Sequence, residues 1–420
     1  MTDRPDAPGP LNRRGPRPLL LHLLLAMTAP SSPGCAPAWP NWNPASPSWN
    51  APGPPDPADP PPPGAAPPEL PTPEPPTPEL PAGLDPALLA GIAAYRRHPY
   101  RRDLADPPAL WQEGSARLLD YGTELPAGAP TLLVVPSLIN RAYVLDLAPG
   151  RSGMRYLAGQ GIRPLLLDWG WPDAAERRFT LTDLVAGRLE RALLAAVAAT
   201  GSKVALAGYC MGGLLAVAAA GRRADLVGAL ALLAVPWDFH AGLPAEQRAL
   251  LPQLRAMVTG ACALTGALPV DLLQYLFAMQ DPAAIAAKFR GFGHLAQNSA
   301  RARQFVALED WLNDGVPLPA PIAEEVFAGW YEANSPAAGS WRIAGLPVDP
   351  ARLAMPCLVA VPAADRIVPP ASALALATLI AHAHVLRPGA GHIGMATGAR
   401  AASHLWRPLA EWLRTVWPAG

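Results

Sequence analysis

Of 420 residues, half are hydrophobic and 16% are charged, and 33 Lys+Arg stand against 33 Asp+Glu. That balance argues against a nucleic-acid or other polyanionic partner, because the basic footprint such a partner requires is missing. At roughly 150 residues per domain, the length carries one large domain or two ordinary ones.

The first feature along the chain is a basic flank, Arg13, Arg14 and Arg17, followed by the apolar run Leu19 to Met27 and then Cys35. The pattern resembles a secretory signal. However, His22 interrupts the run, Pro18 precedes it, and the leucine usual three residues before a lipidated cysteine is missing. We therefore expect a short apolar helix that packs on the domain or on a lipid-like surface. It is too short for a bilayer, which takes about 20 residues. Prolines crowd the next stretch: 27 of the 55 lie in residues 1–81, so residues 30–81 are predicted to be extended or disordered and dispensable for folding. The division expected is 1–83, a Pro-rich N-terminal segment with that short helix, and 84–420, a catalytic domain. Limited proteolysis that leaves a stable core from about Leu84 would test it. Cys35, Cys210, Cys262 and Cys357 are widely spaced with no CxxC pair, which points to a reduced, cytoplasmic protein.

Leu84 to Tyr95 reads as an amphipathic helix. The basic patch Arg96 to Arg102 after it is either a charged loop over a domain edge or a site for a nucleotide phosphate. From about Pro130, short apolar runs alternate with helical patterns, the mark of parallel βα units. Strands are predicted at Thr131 to Val135, Pro164 to Asp168, Lys203 to Ala207 and Val227 to Ala234. Helices are predicted at Ser152 to Gln160, Leu181 to Thr200 and Gly212 to Ala220. The alternation stops at about 237 and resumes at about 346, so these residues are predicted to form a helical cap over the carboxyl ends of the strands, where open α/β sheets place their sites. Beyond it come strand Cys357 to Val361, helix Ala371 to Ala381, strand His384 to Leu386 and a last helix, Ala401 to Trp417.

Gly208-Tyr209-Cys210-Met211-Gly212-Gly213 joins a predicted strand to a predicted helix. It is a nucleophile elbow of the G-x-S-x-G kind with Cys as the nucleophile, held where the amino end of a helix favours a thiolate. In this arrangement the acid and the histidine follow in that order. Asp365, after the strand from Cys357, and His392, after the strand from His384, fill those places. The backbone of Met211 is one expected oxyanion donor, and the other is expected from the loop 136–141, at Leu138 or Ile139.

The stretches Pro136 to Leu147, Asp168-Trp169-Gly170, the Cys elbow, Pro236 to Phe239, Asp365 to Pro370 and Gly391 to Gly394 together resemble the polyhydroxyalkanoate synthase family. Dienelactone hydrolases have a nearly identical elbow; the Asn140-Arg141-Ala142-Tyr143 loop and Asp168-Trp169-Gly170 separate the two. The resemblance implies an α/β-hydrolase fold, a mostly parallel sheet with helices on both faces and a helical cap. It also implies that Cys210 carries a growing acyl chain as a thioester, that His392 activates Cys210, and that Asp365 helps to activate the 3-hydroxyl of an incoming acyl-CoA. Asn140, Asp168, Trp169 and Trp237 become candidate substrate-binding residues. No cofactor or metal is implied.

Met211 stands where synthases usually have Gln, and the first hundred residues do not look like the N-terminal domain of single-subunit synthases. Acyl transfer through Cys210 is thus implied more firmly than polymer formation. Hydrolysis of esters or thioesters remains the alternative, and a non-catalytic protein of the granule surface a lesser one. The expected partners are an acyl-CoA or hydroxyacyl polyester substrate, a granule or lipid surface, and a second subunit or a second copy. Finally, the cap aromatics Trp311, Trp330 and Trp341 are expected to line or gate the route to Cys210.

Overall fold

The computed structural model describes Arg13 and residues 15–27, 85–126, 128–279 and 281–417. The Pro-rich stretch expected at 30–81 and Cys35 lie outside these residues. Helix α1, Leu19–Met27, packs on the rest of the chain: Ala26 and His22 are buried. Arg13 ties the segment down, its guanidinium donating twice to Asp310 at 2.6 Å and also to the carbonyls of His98 and Tyr100. Helix α2, Pro86–Arg97, starts two residues later than predicted because the Asp85 carboxylate caps it, accepting from Leu88 N–H. In the basic patch that follows, Arg102 donates to Asp146 and to the Leu104 carbonyl, and His98 donates to the Gln297 carbonyl. These two side chains tie the loop to the domain edge, as the plainer reading of the patch expected.

The sheet has eight strands: β1 Ala109–Glu113, β2 Ala116–Asp120, β3 Thr131–Val135, β4 Arg163–Asp168, β5 Val204–Tyr209, β6 Val227–Leu233, β7 Cys357–Ala360 and β8 His384–Leu386. Their order is β1-β2-β4-β3-β5-β6-β7-β8. Strands β3 to β8 run parallel; the near-continuous apolar sequences of β3, β5 and β6 follow from burial on both faces, while β8 is a largely exposed edge strand. The antiparallel hairpin β1-β2 at one edge was not anticipated. The residues of β1 are half-exposed, those of β2 are mostly buried and neither alternates clearly, and the hairpin's turn rests on Gly114 at φ +57°.

Helices α3, Gly153–Gly159, and α4, Glu190–Thr200, follow β3 and β4. The predicted helix Leu181 to Thr200 begins as a π-helical stretch, Asp183–Leu189, before α4. Helix α5, Met211–Arg222, is apolar all round, as a helix enclosed by its neighbours must be. Between β6 and β7 the chain leaves the sheet and forms α6 Leu251–Thr265, α7 Val270–Ala278, α8 Pro282–Gly293, α9 Ala300–Asn313 and a π-helical segment, Glu325–Glu332. Helices α10 Pro370–Leu379, α11 His392–Thr397 and α12 Arg407–Val416 complete the winding. One core lies between the sheet and α4, α5 and α10; another lies between the sheet and α3 and α12. A third, smaller cluster joins α1, α2, α8 and α9 through Leu88, Tyr95, Phe289 and Phe292. The N-terminal helices therefore belong to the cap side. Among the described residues, no helix is long and apolar enough to cross a membrane.

Candidate active site

Register brings Val134, Ala207, Ala231 and Leu358 side by side across β3, β5, β6 and β7. Their carboxyl ends consequently open onto one edge, and the loops leaving them hold the predicted residues. Cys210 stands between β5 and α5 with φ +55° and ψ −130°, a conformation that non-glycine residues rarely adopt. Two backbone hydrogen bonds hold this strained residue: Cys210 N–H donates to the Leu233 carbonyl and Gly213 N–H donates to the Cys210 carbonyl, each at 2.9 Å. The flanking glycines permit the close crossing of strand and helix. A Cβ on Gly208 would meet the Gly213 backbone, and one on Gly212 would meet the backbone of Val135 and Pro136. Gly208→Ala is expected to destabilise the fold by roughly 1–3 kcal/mol, as overpacking against backbone does; a thermal melt equal to that of the parent would contradict this.

His392 opens α11 and is buried, and its Nδ1–H donates to Asp365 Oδ2 at 2.7 Å. The Tyr209 hydroxyl holds the His392 carbonyl at 3.2 Å. The other oxygen of Asp365 accepts from the N–H groups of Ile367 and Val368, each at 2.9 Å. Burial alone would push the His392 imidazole down. The Asp365 carboxylate and, after it, Cys210, which also hydrogen-bonds the ring, instead raise it to about 10. Cys210, His392 and Asp365 are thus in contact in that order, with Nε2 left to face the sulfur. The side chain of Asp365 is wholly buried behind the ring and does not line the cavity. From this position any help Asp365 gives to a substrate hydroxyl passes through the His392 ring, which does line the cavity.

A cavity of about 140 Å³ lies over Cys210, lined among others by Met211, Ile139, Asn140, Phe239, Trp311 and Tyr331. The loop 136–141 that forms one wall is held from several sides. Trp169 Nε1–H donates to the Pro136 carbonyl at 3.4 Å, Val316 N–H to the Ile139 carbonyl at 3.2 Å and Trp311 Nε1–H to the Arg141 carbonyl at 2.8 Å.

Several candidate residues are elsewhere. Leu138 is turned away from this cavity, toward a separate hollow beside Trp169. Asp168 is paired with Arg117 at 2.8 Å and lies 3.8 Å from Arg141, so it braces the loop and does not face the cavity. Trp169 acts on the loop through its indole N–H. Trp237 is buried with Trp341 and Trp330 in edge-to-face contacts and does not line the cavity, although its neighbours Pro236 and Asp238 do. Of the three cap tryptophans expected along the route to Cys210, only Trp311 lines the cavity. Trp330 and Trp341 are core, because the large rings were drawn into the cluster under the cap. Trp330→Ala is accordingly expected to cost about 3–5 kcal/mol of stability, measured by chemical denaturation; a variant as stable as the parent would refute the assignment.

Tyr331, Phe239 and Phe277 also line the cavity; Phe239 ends the family-like stretch Pro236 to Phe239 and Tyr331 is one of the cap aromatics, whereas nothing in the sequence marked Phe277. The Tyr331 hydroxyl is shifted up, first by burial and then by the charge of Cys210. Its place is fixed by neighbours. His240 Nε2–H donates to its carbonyl at 2.9 Å, while Asn334 accepts from Phe239 N–H at 2.9 Å and donates to Asp238 at 2.8 Å. The π-helical turn carrying Tyr331 is a geometry frequent at functional sites, but nothing in the residue pattern marks it.

Known proteins resemble this chain over most of its length. The family model of the dienelactone hydrolase family matches residues 173–263, a stretch that includes the elbow but neither Asp365 nor His392. The chain is 30% identical to the "Poly(3-hydroxyalkanoate) polymerase subunit PhaC" of Haloferax mediterranei, over 72% of this chain and 62% of that one. It is 27% identical to the protein of the same name from Haloarcula marismortui, over 74% and 68%, and 28% identical to that from Allochromatium vinosum, over 71% and 85%. Over most of its length the chain is thus polyhydroxyalkanoate synthase-like, on an α/β-hydrolase fold. It spans less than two thirds of the Haloferax relative. The matches to this family extend over some 300 residues, far beyond the elbow that dienelactone hydrolases share.

Proposed function

We propose that the chain is an acyltransferase that builds polyester from 3-hydroxyacyl-CoA through a thioester on Cys210. The observation that carries this reading is the Cys210-His392-Asp365 contact at the base of a largely apolar cavity. In the first step, the Cys210 thiolate attacks the thioester carbonyl of the acyl-CoA, with the oxyanion held by Met211 N–H and an amide of the loop 136–141. The carbonyl–CoA bond breaks, and CoA leaves with the proton from His392. In the second, His392 takes the proton of the 3-hydroxyl of another acyl-CoA, whose oxygen attacks the Cys210 thioester. An ester bond forms and the Cys210 sulfur is released. Cys210 then attacks the CoA thioester of the lengthened chain, releasing CoA and restoring the acyl-enzyme. Asp365 orients the imidazole and stabilises its cation throughout.

The same acyl-enzyme could yield to water, which would make the chain a thioesterase or esterase. The apolar walls formed by Phe239, Tyr331 and Trp311 favour transfer, because a thioester that waits for a hydroxyl needs water kept away. The proposed setting is the cytoplasm and the surface of storage granules, with a second subunit or second copy as partner. Purified protein given 3-hydroxybutyryl-CoA should release CoA and form polymer. If only free 3-hydroxybutyrate appears, the hydrolase reading replaces this one.

A further inference from the structure

A second cavity, of about 100 Å³, lies inside the cap next to the one over Cys210. The two share Gln274, Phe277, Leu312 and Ile393 as a common wall. Ile393 directly follows His392, so the wall stands beside the reacting centre. Phe277 and Leu312 are only partly buried, and each has open space on both sides. Rotation of these two side chains would join the cavities without moving backbone. On its outer side the second cavity is closed by Pro16, Arg17 and His22, the segment that carries α1.

Its chemistry is specific. Most of the interior is apolar, from Ala278, Ile285, Phe305 and Leu308. Two deep charges, Lys288 and Glu309, neutralise each other at 2.7 Å, with the side chains 11% and 5% exposed. His22 faces the same space uncharged at neutral pH, since burial and then Lys288 push it down to about 4, and its Nδ1–H donates to the Pro18 carbonyl. An ammonium has three donors and Glu309 takes one; the amides of Gln274 and Gln304 add further donors. Such a site suits an apolar chain bearing neutral carbonyl oxygens. A polyphosphate suits it poorly, because the only deep cation is already paired and the arginines that line it, Arg17 and Arg301, are on its more exposed parts.

We propose that this second cavity is the subsite for the acyl chain on Cys210, taking a short oligoester of 3-hydroxy acids past Phe277 and Leu312, with Lys288 and the glutamine amides donating to its ester carbonyls. This rests on the acyl-enzyme reading above. It assigns this second, smaller cavity to the growing chain and leaves the cavity over Cys210 to the incoming hydroxyl.

The test separates binding from chemistry. In the Cys210→Ala protein, the methyl ester of a 3-hydroxybutyrate trimer is titrated calorimetrically. Ala278→Leu fills the cavity from α7, and Gln304→Phe, at a half-buried position on α9, fills it independently should the first variant fold poorly. Each is expected to weaken trimer binding at least tenfold. On the Cys210 background, Ala278→Leu should leave the first burst of CoA release from 3-hydroxybutyryl-CoA within twofold of the parent while shortening the product, and Gln304→Phe should shorten the product likewise. No binding of the trimer, equal binding by the filled variants, or displacement of the trimer by CoA alone would overturn the subsite. Absence of CoA release by the parent would instead overturn the acyl-enzyme reading and leave the binding result to decide the subsite.

Discussion

Replacing Cys210 by Ala should lower CoA release from 3-hydroxyacyl-CoA by roughly 10⁴-fold or more, the scale seen when a triad member is lost. The argument is positional. Of the cysteines described, Cys210 alone occupies a strained turn at the head of a helix and touches an imidazole. Cys357 lies within β7, where its thiol donates to the Met355 carbonyl and burial pushes it up to about 12. Cys262 is buried in α6, and burial shifts it up as well. Neither presents a thiolate to a cavity. Cys262→Ala, Cys357→Ala and Cys35→Ala should therefore keep activity within a few-fold of the parent. A Cys210→Ala protein that still turned over substrate would remove the mechanism.

The second large effect is expected at Asp365. Burial acts on His392 in one direction and the Asp365 carboxylate in the other, with Cys210 on the same side as Asp365. Asp365→Asn removes the leading cause that raises the imidazole and leaves burial in place. The titration of His392 should then move down from about 10, which ring-carbon NMR can follow once His392→Gln has identified the signal. Activity should fall by about 10²–10⁴-fold, because the ring loses both its orienting acceptor and the stabilisation of its cation. An unchanged titration would show that Asp365 does not govern the ring. An unchanged rate would show that the ring does not govern the chemistry.

How much of this could be read from residues alone varied with the kind of signal. The parallel strands were plain, since Thr131–Val135 and Val227–Leu233 are apolar runs that need two covered faces. The elbow was plain for a stereochemical reason: only glycines fit where β5 and α5 cross. Asp365 and His392 followed from strand ends. Less legible was anything that depends on which side of a layer an aromatic ring occupies. Trp237, Trp330 and Trp341 look no different in sequence from Trp311 and Tyr331, yet the first three fill the core and the last two face Cys210. Asp168 was misplaced for a related reason, since a carboxylate at a strand end serves equally to brace a loop through Arg117 and Arg141 or to meet a substrate. The weakly patterned hairpin β1-β2 had no apolar face strong enough to mark it.

The central claim is that an acyl group rests on Cys210. Mixing the protein with 3-hydroxybutyryl-CoA, quenching in acid and mapping peptides by mass spectrometry tests it directly. The account predicts a hydroxybutyryl adduct, or a ladder of such units, on the peptide containing Cys210, absent from Cys35, Cys262 and Cys357 and absent in Cys210→Ala. CoA release with no adduct on Cys210, or with the adduct on another residue, would contradict it.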